Sequence, residues 1–254
     1  MSSLPDKLRH ASLAIVERRP LRLGAQGVIG GAFVDSLARQ VSAGIGPVGK
    51  CRLIPSPPEL EYEYRQGVAA AGLANVEVVG GDILSILENA QARSLDFVFS
   101  CWELGQIEPA RLIAAAKKTL RPCGAVGVLS IKAESPFIPL STLVSATREV
   151  TGKTVKAQAL PFPKSAEELR KLLRKAGFQD VRAWEDFGDV DCPDGPAVYA
   201  HLAEVSGGSL LGNVDAETSF RIRELFAQKI EKVCGGKPLW VRHDFIGAVG
   251  TAGG

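Results

Sequence analysis

Between residues 21 and 131 the chain alternates short apolar runs with stretches whose apolar residues recur at helical spacing, and this rhythm constrains the fold most. The runs at 21–26, 51–54, 76–79, 96–100 and 125–131 read as strands, and 32–41, 59–71, 83–92 and 109–120 read as helices. In the first of these helices Phe33, Leu37 and Val41 share one face. The continuous run Asp96-Phe97-Val98-Phe99-Ser100 suits a strand buried on both sides. Five strands alternating with four helices predict a parallel sheet with helices over both faces. A further helix is expected over residues 5–18.

The second half changes rhythm. Residues 136–163 are rich in proline and read as an insertion over the sheet's edge, with one helix at 141–150. Ser165 and Glu168 form a capping-box pair, and Gly177 can close the helix they start. A sixth strand follows at 181–187. Residues 189–213 read as loop-rich with a short helix near 197–204, then comes a long amphipathic helix at 215–233 and a last strand at 239–247. The expectation is one domain over 1–254. In it the helix of 1–19 and the insertion of 133–164 act as a lid, and 248–254 form a flexible tail.

Composition narrows the partners. A net charge of +2, with the basic residues dispersed, gives no footprint for nucleic acid or an anionic membrane. No apolar run approaches the ~18 residues that a membrane span needs. Residues 1–20 carry frequent charges and no apolar core of the kind a signal peptide has, so a cytoplasmic location is expected. The five cysteines are odd in number and lack a C-x-x-C pair, which argues for reduced thiols and against a zinc site. The three histidines, His10, His201 and His243, form no recognisable constellation in the sequence.

Five phrases then stand in a familiar order: Pro58-Glu59-Leu60, Val76-Glu77-Val78-Val79-Gly80-Gly81-Asp82, Leu95 to Trp102, Leu120-Arg121-Pro122-Cys123-Gly124, and Ala176-Gly177-Phe178-Gln179-Asp180-Val181. Together they resemble the class I S-adenosylmethionine-dependent methyltransferases, small-molecule branch, over most of residues 20–250. The resemblance implies an α/β doubly wound, mostly parallel seven-stranded sheet with an antiparallel last strand. It implies S-adenosylmethionine as cofactor, no metal, a small-molecule ligand or substrate, and compatibility with a homo- or hetero-dimer. Its site residues map onto Gly27 and Gly31 in the glycine loop, Asp82 toward the adenine amino group with Ile83 beside it, and Ser100 and Trp102 after the fourth strand.

The cofactor positions depart from that pattern. The family carries an acidic residue followed by G-x-G-x-G. Counting back from the helix gives Gly27, Ile29 and Gly31 with Ala25 at the acid. Counting forward from the strand gives Gly24, Gln26 and Val28 with Arg22 at the acid. Both counts lose the acid and the central glycine, and a β-branched Ile29 would crowd a ligand. Gly24, Gly27, Gly30 and Gly31 also suit a tight strand–helix turn that holds nothing. At the end of strand two, where the family's acid takes the ribose hydroxyls, stands Pro55, which has no side-chain acceptor and no N–H. Glu103 is the nearest carboxylate beyond Trp102. Two functions follow: methyl transfer to a small molecule with an impaired cofactor grip, or a protein that kept the fold but not the reaction. The second would be a non-catalytic partner or regulator, or would use the cleft for another ligand or rearrangement. A nicotinamide oxidoreductase is disfavoured because G-x-G-x-x-G is absent.

Overall fold

A computed structural model describes residues 4–103, 107–132, 137–153, 163–205, 214–235 and 237–253. Its elements are, in chain order, α1 (Leu4–Arg18), β1 (Gln26–Gly31), α2 (Asp35–Ile45), β2 (Lys50–Pro55), a 3-10 turn (Pro58–Leu60), α3 (Glu61–Ala70), β3 (Val76–Val78), α4 (Ile83–Asn89), β4 (Leu95–Cys101), α5 (Pro109–Thr119), β5 (Leu120–Ile131), α6 (Phe137–Thr151), α7 (Ala166–Lys175), β6 (Phe178–Cys192), α8 (Gly195–Val205), α9 (Ala216–Cys234) and β7 (Leu239–Ala252). The seven strands lie in the order β3-β2-β1-β4-β5-β7-β6. Pairings among β1 to β5 are parallel, and β7 runs antiparallel to β5. The expected doubly wound sheet with an antiparallel last strand is therefore the fold observed.

Two compact units are resolved. The first comprises Met1–Ala133, Leu160–Asp186 and Phe245–Gly254, and the second Glu134–Ala159 and Phe187–Asp244. In the first unit, one face of the sheet is covered by α4, α5 and α7, whose Leu84, Leu87, Leu112, Ile113, Leu169 and Leu173 pack with Val28, Val98 and Val126 of the strands. Helices α1 and α2 pack on each other, and Ile15, Leu37, Val41 and Ile45 are fully or almost fully buried. The second unit has its own core, in which Leu143 and Ala146 of α6, Val198 and Leu202 of α8, and Ile222, Phe226 and Ile230 of α9 pack together.

The strand limits moved at one important place. Strand one was expected at 21–26 but lies at Gln26–Gly31. The β-branched pair Val28-Ile29 forms its centre, and both side chains are buried. The flanking glycines are strand residues because β1 runs very close to β4. A Cβ on Gly27 would sit 2.2 Å from the Phe97 carbonyl oxygen, and one on Gly31 would sit 1.8 Å from that of Cys101. Gly31 also has φ +127°, a conformation that glycine alone adopts readily. Backbone approach explains these glycines without a ligand.

Elsewhere the local signals hold. Ser165 caps α7 by accepting from the Glu168 N–H at 3.2 Å. Asp215 caps α9, accepting from the Thr218 N–H at 2.8 Å. Asp215→Ala should lower stability by about 1 kcal/mol, read as faster amide exchange confined to the first turns of α9. The residues expected as a frayed tail continue β7 as far as Ala252, with Gly250 and Thr251 paired to Val126 and Ala125. The expected insertion helix is α6, while 133–136 and 154–162 of that insertion, and 206–213 of the expected loop, lie outside the described residues. Among the described residues, no helix is long and apolar enough to cross a membrane.

Two histidines that looked unrelated in the sequence meet in the second unit. His201 of α8 and His243 of β7 place their Nε2 atoms 2.7 Å apart, both buried. The Nδ1 of His243 has no partner among the described residues. Burial, and then the nearby His201, push the His243 imidazole down to about 3.

Candidate functional site

In an open α/β sheet the ligand crevice forms beyond the carboxyl ends of the strands, where the chain leaves the sheet in opposite directions. In this sheet β1 lies between β2 and β4, so that point is the end of β1. A cavity of about 490 Å³ opens there in the first unit, lined by Pro55, Ser56, Asp82, Glu103, Glu108 and Arg111 among others.

Each wall has a local cause. β2 ends at Pro55, and the N–H of Ser56 donates to the Gly31 carbonyl at 3.1 Å, which ties the mouth of β2 to that of β1. Asp82 follows the Gly80-Gly81 turn and caps α4, accepting from the Ser85 N–H at 2.8 Å. Hydrogen bonds from Ser85 hold the Asp82 carboxyl below its ordinary range, so it is ionised at neutral pH. Arg111 is held outward by a two-pronged pair with Glu88, at 2.7 and 2.9 Å.

The far wall is the end of β4. Ser100 is almost fully buried, and its hydroxyl donates to Oε2 of Glu103 at 2.9 Å. Between them Trp102 takes the left-handed φ of +67°, with its N–H bonded to the Leu129 carbonyl at 2.8 Å and its ring edge-on to Phe245. This bend turns the chain so that Glu103 comes back over the sheet. Its carboxyl lies over Gly30, where a Cβ would fall 2.9 Å from Oε2. The Glu103 carbonyl also accepts the Ile107 N–H at 3.2 Å. Glu103 is only 3% exposed. Burial pushes its carboxyl up to about 8; the Ser100 hydroxyl opposes this, and the charge of Asp82 adds to it. Burial also raises the Cys101 thiol well above its usual range, so it is not an activated nucleophile.

The six residues singled out in the sequence separate in space. Asp82 lines the cavity, and Ser100 reaches it through Glu103. Gly31 sits at the carboxyl end of β1 with its carbonyl on Ser56. Trp102 supports the turn that aims Glu103. Gly27 is the second residue of β1, at the amino end away from the cavity and against Phe97, and Ile83, the first residue of α4, is wholly buried in the core. Both counts of the glycine loop fall on or before strand β1; the turn that follows it is residues 32–34. Ala25 precedes β1, and Arg22 pairs with Asp96 at the opposite, amino end of the sheet. Ile29 is a core residue and does not approach the cavity.

Sequence reasoning passed over Glu103 as a site residue. The available signal was an acid three positions after a strand serine, but its burial depends on the positive φ of Trp102 and on the missing Cβ of Gly30. Pro55, at the end of β2, has no side-chain acceptor, and β1 carries no acidic residue. Among the described residues, no group of three His, Cys, Asp or Glu side chains could hold a metal ion.

No family model matches the sequence, and no curated protein does. Solved structures do. A sarcosine dimethylglycine methyltransferase from Galdieria sulphuraria is 18% identical over 98% of this chain and 85% of its own, with a TM-score of 0.54. Phosphoethanolamine N-methyltransferase 2 of Haemonchus contortus, solved with phosphomonomethylethanolamine and S-adenosylhomocysteine, is 16% identical over 96% of this chain with a TM-score of 0.57. This chain spans about half of that protein's length, 53%. The [4+2]-cyclase SpnF is 18% identical over 97% of this chain and 81% of its own, with a TM-score of 0.56. The chain has the fold of the class I S-adenosylmethionine-dependent methyltransferases.

Proposed function

We propose that this protein is a small-molecule methyltransferase of the S-adenosylmethionine-dependent family whose grip on the cofactor is impaired. The observation that carries the reading is the cavity at the carboxyl ends of β1, β2 and β4, with Asp82 on its wall and Pro55 where a ribose acceptor would stand. The similar solved structures named for methyl transfer support the family. Methyl transfer depends largely on aligning nucleophile, methyl carbon and leaving sulfur, so the reading needs no catalytic dyad.

Calorimetry with S-adenosylhomocysteine tests it. A charge-assisted carboxylate–hydroxyl contact is worth about 1.5–3 kcal/mol, so its loss at Pro55 should leave affinity weaker than micromolar. Micromolar or tighter binding would show the grip to be intact by other means.

One observation favours a second reading. A buried carboxyl raised to about 8 is largely protonated at neutral pH and can donate a hydrogen bond to a ligand. A cleft so equipped suits a rearrangement of a neutral molecule, and a protein of the same fold is named for a [4+2] cyclisation. Product analysis with S-adenosylmethionine omitted separates the two readings: turnover without it supports the second.

A further inference from the structure

The charges around the cavity are unequal. Asp82, Glu103 and Glu108 contribute three carboxyls, and the one cation among the described lining residues, Arg111, is held in the bidentate pair with Glu88. Of the three, Glu103 alone is buried, and it sits at the end of β1 in space that Gly30 leaves open. Its one described side-chain partner is a neutral hydroxyl, Ser100. Among the described ionisable groups that act on it are Asp82, whose charge disfavours a second anion, and the Cys101 thiol, which stays neutral. Among the described residues a carboxyl placed this way has no counter-charge, and a ligand can bring one.

We propose that Glu103 is the specificity-determining residue of this cleft and that it selects a small molecule bearing a positive charge, an ammonium or a sulfonium. The proposal rests on reading the cavity as the cofactor cleft, and it assigns to a residue beyond β4 a contact that β1 itself, ending in Gly30-Gly31, has no side chain to make. The exchange is balanced. In the free protein at neutral pH the carboxyl carries a proton. When the cation enters, the O–H bond breaks, the proton passes to buffer, and the carboxylate pairs with the ligand. Desolvation then favours the pair over either charge alone.

The proton is the readout. S-adenosylmethionine at millimolar concentration serves as the cationic probe, and adenosine as its uncharged counterpart. The 13C resonance of the Glu103 carboxyl, assigned by its loss in Glu103→Gln, should move to the ionised position with S-adenosylmethionine and stay put with adenosine. Calorimetry in two buffers of different ionisation enthalpy should show nearly one proton released at pH 7, on the unmodified protein and hence independent of how any variant folds. Glu103→Gln should weaken the cationic probe about tenfold or more, the loss of one charge-assisted contact, and leave adenosine unaffected.

Binding of S-adenosylmethionine with the carboxyl still protonated, or equal binding by the variant, would overturn the proposal and leave the cofactor reading intact. An equal shift with adenosine would also overturn it, because the carboxyl would be answering the nucleoside and not the charge. Failure of both probes to bind would remove the proposal and the cofactor reading together.

Discussion

Near pH 9 the Glu103→Gln variant should resist unfolding of the first unit far better than the wild type, while near pH 4.5 the two should be almost equal. The sign follows from linkage. The folded carboxyl is raised from 4.5 to about 8 by burial, whereas in the unfolded chain it titrates near its ordinary value. Below pH 4.5 both states hold the proton and the group is silent. Between 4.5 and 8 the unfolded state gives up its proton and the folded state keeps it, so stability falls as pH rises. Above 8 the penalty is complete. At about 1.4 kcal/mol per unit, the span amounts to about 5 kcal/mol, a large share of what a domain has to lose. The Gln amide cannot ionise and can still accept from Ser100, so its curve lacks this fall. Amide exchange over β1 and β4, compared at the two pH values, checks the claim for the unit concerned. Parallel pH curves for the two proteins would mean that Glu103 is ionised and well solvated.

The second unit should fail in acid for the opposite reason. His243 is held neutral, down to about 3, by burial and then by His201. An unfolded chain protonates the same imidazole near 6.5. As pH falls through that value the unfolded state gains a proton that the folded state refuses. Stability is thus lost progressively from 6.5 to about 3, again at about 1.4 kcal/mol per unit and about 5 kcal/mol in all. His243→Gln should be slightly weaker at neutral pH, by about 1 kcal/mol for the disturbed ring-to-ring hydrogen bond. Near pH 4 the order should reverse, the variant being the more stable. Exchange of the α8 and α9 amides across this range reads the crossing directly. A wild-type unit as stable at pH 4 as at pH 7 would sink the prediction.

The sheet was legible because parallel strands buried on both faces must be apolar runs, and residues 96–100 and 125–131 cannot hide that pattern. The cap at Ser165 was legible because it is local chemistry. The displacement of strand one has a different origin. Leu21 and Leu23 imitate an alternating strand, while the true one, Gln-Gly-Val-Ile-Gly-Gly, resembles a turn in composition. Only the neighbouring strand explains it: Phe97 and Cys101 press so close that glycine is required at Gly27 and Gly31. The meeting of His201 with His243, 42 positions apart, and the return of Glu103 over Gly30 are likewise tertiary events. Asp82 was placed at the cleft by the resemblance of residues 76–82 to a family phrase, whereas the burial that shifts Glu103 had no such signal.

The order of the sheet leaves β6 at one margin, fifteen residues long. Along it stand Asp180, Glu185, Asp186, Asp189 and Asp191 against the single basic Arg182. A strand at the margin of a sheet can pair with another chain, and natural proteins answer that with charge. Laid beside its twin, this strand would set carboxylates against carboxylates at strand spacing, where like charges repel most strongly. The charge along this margin therefore opposes pairing with a second copy of the same strand.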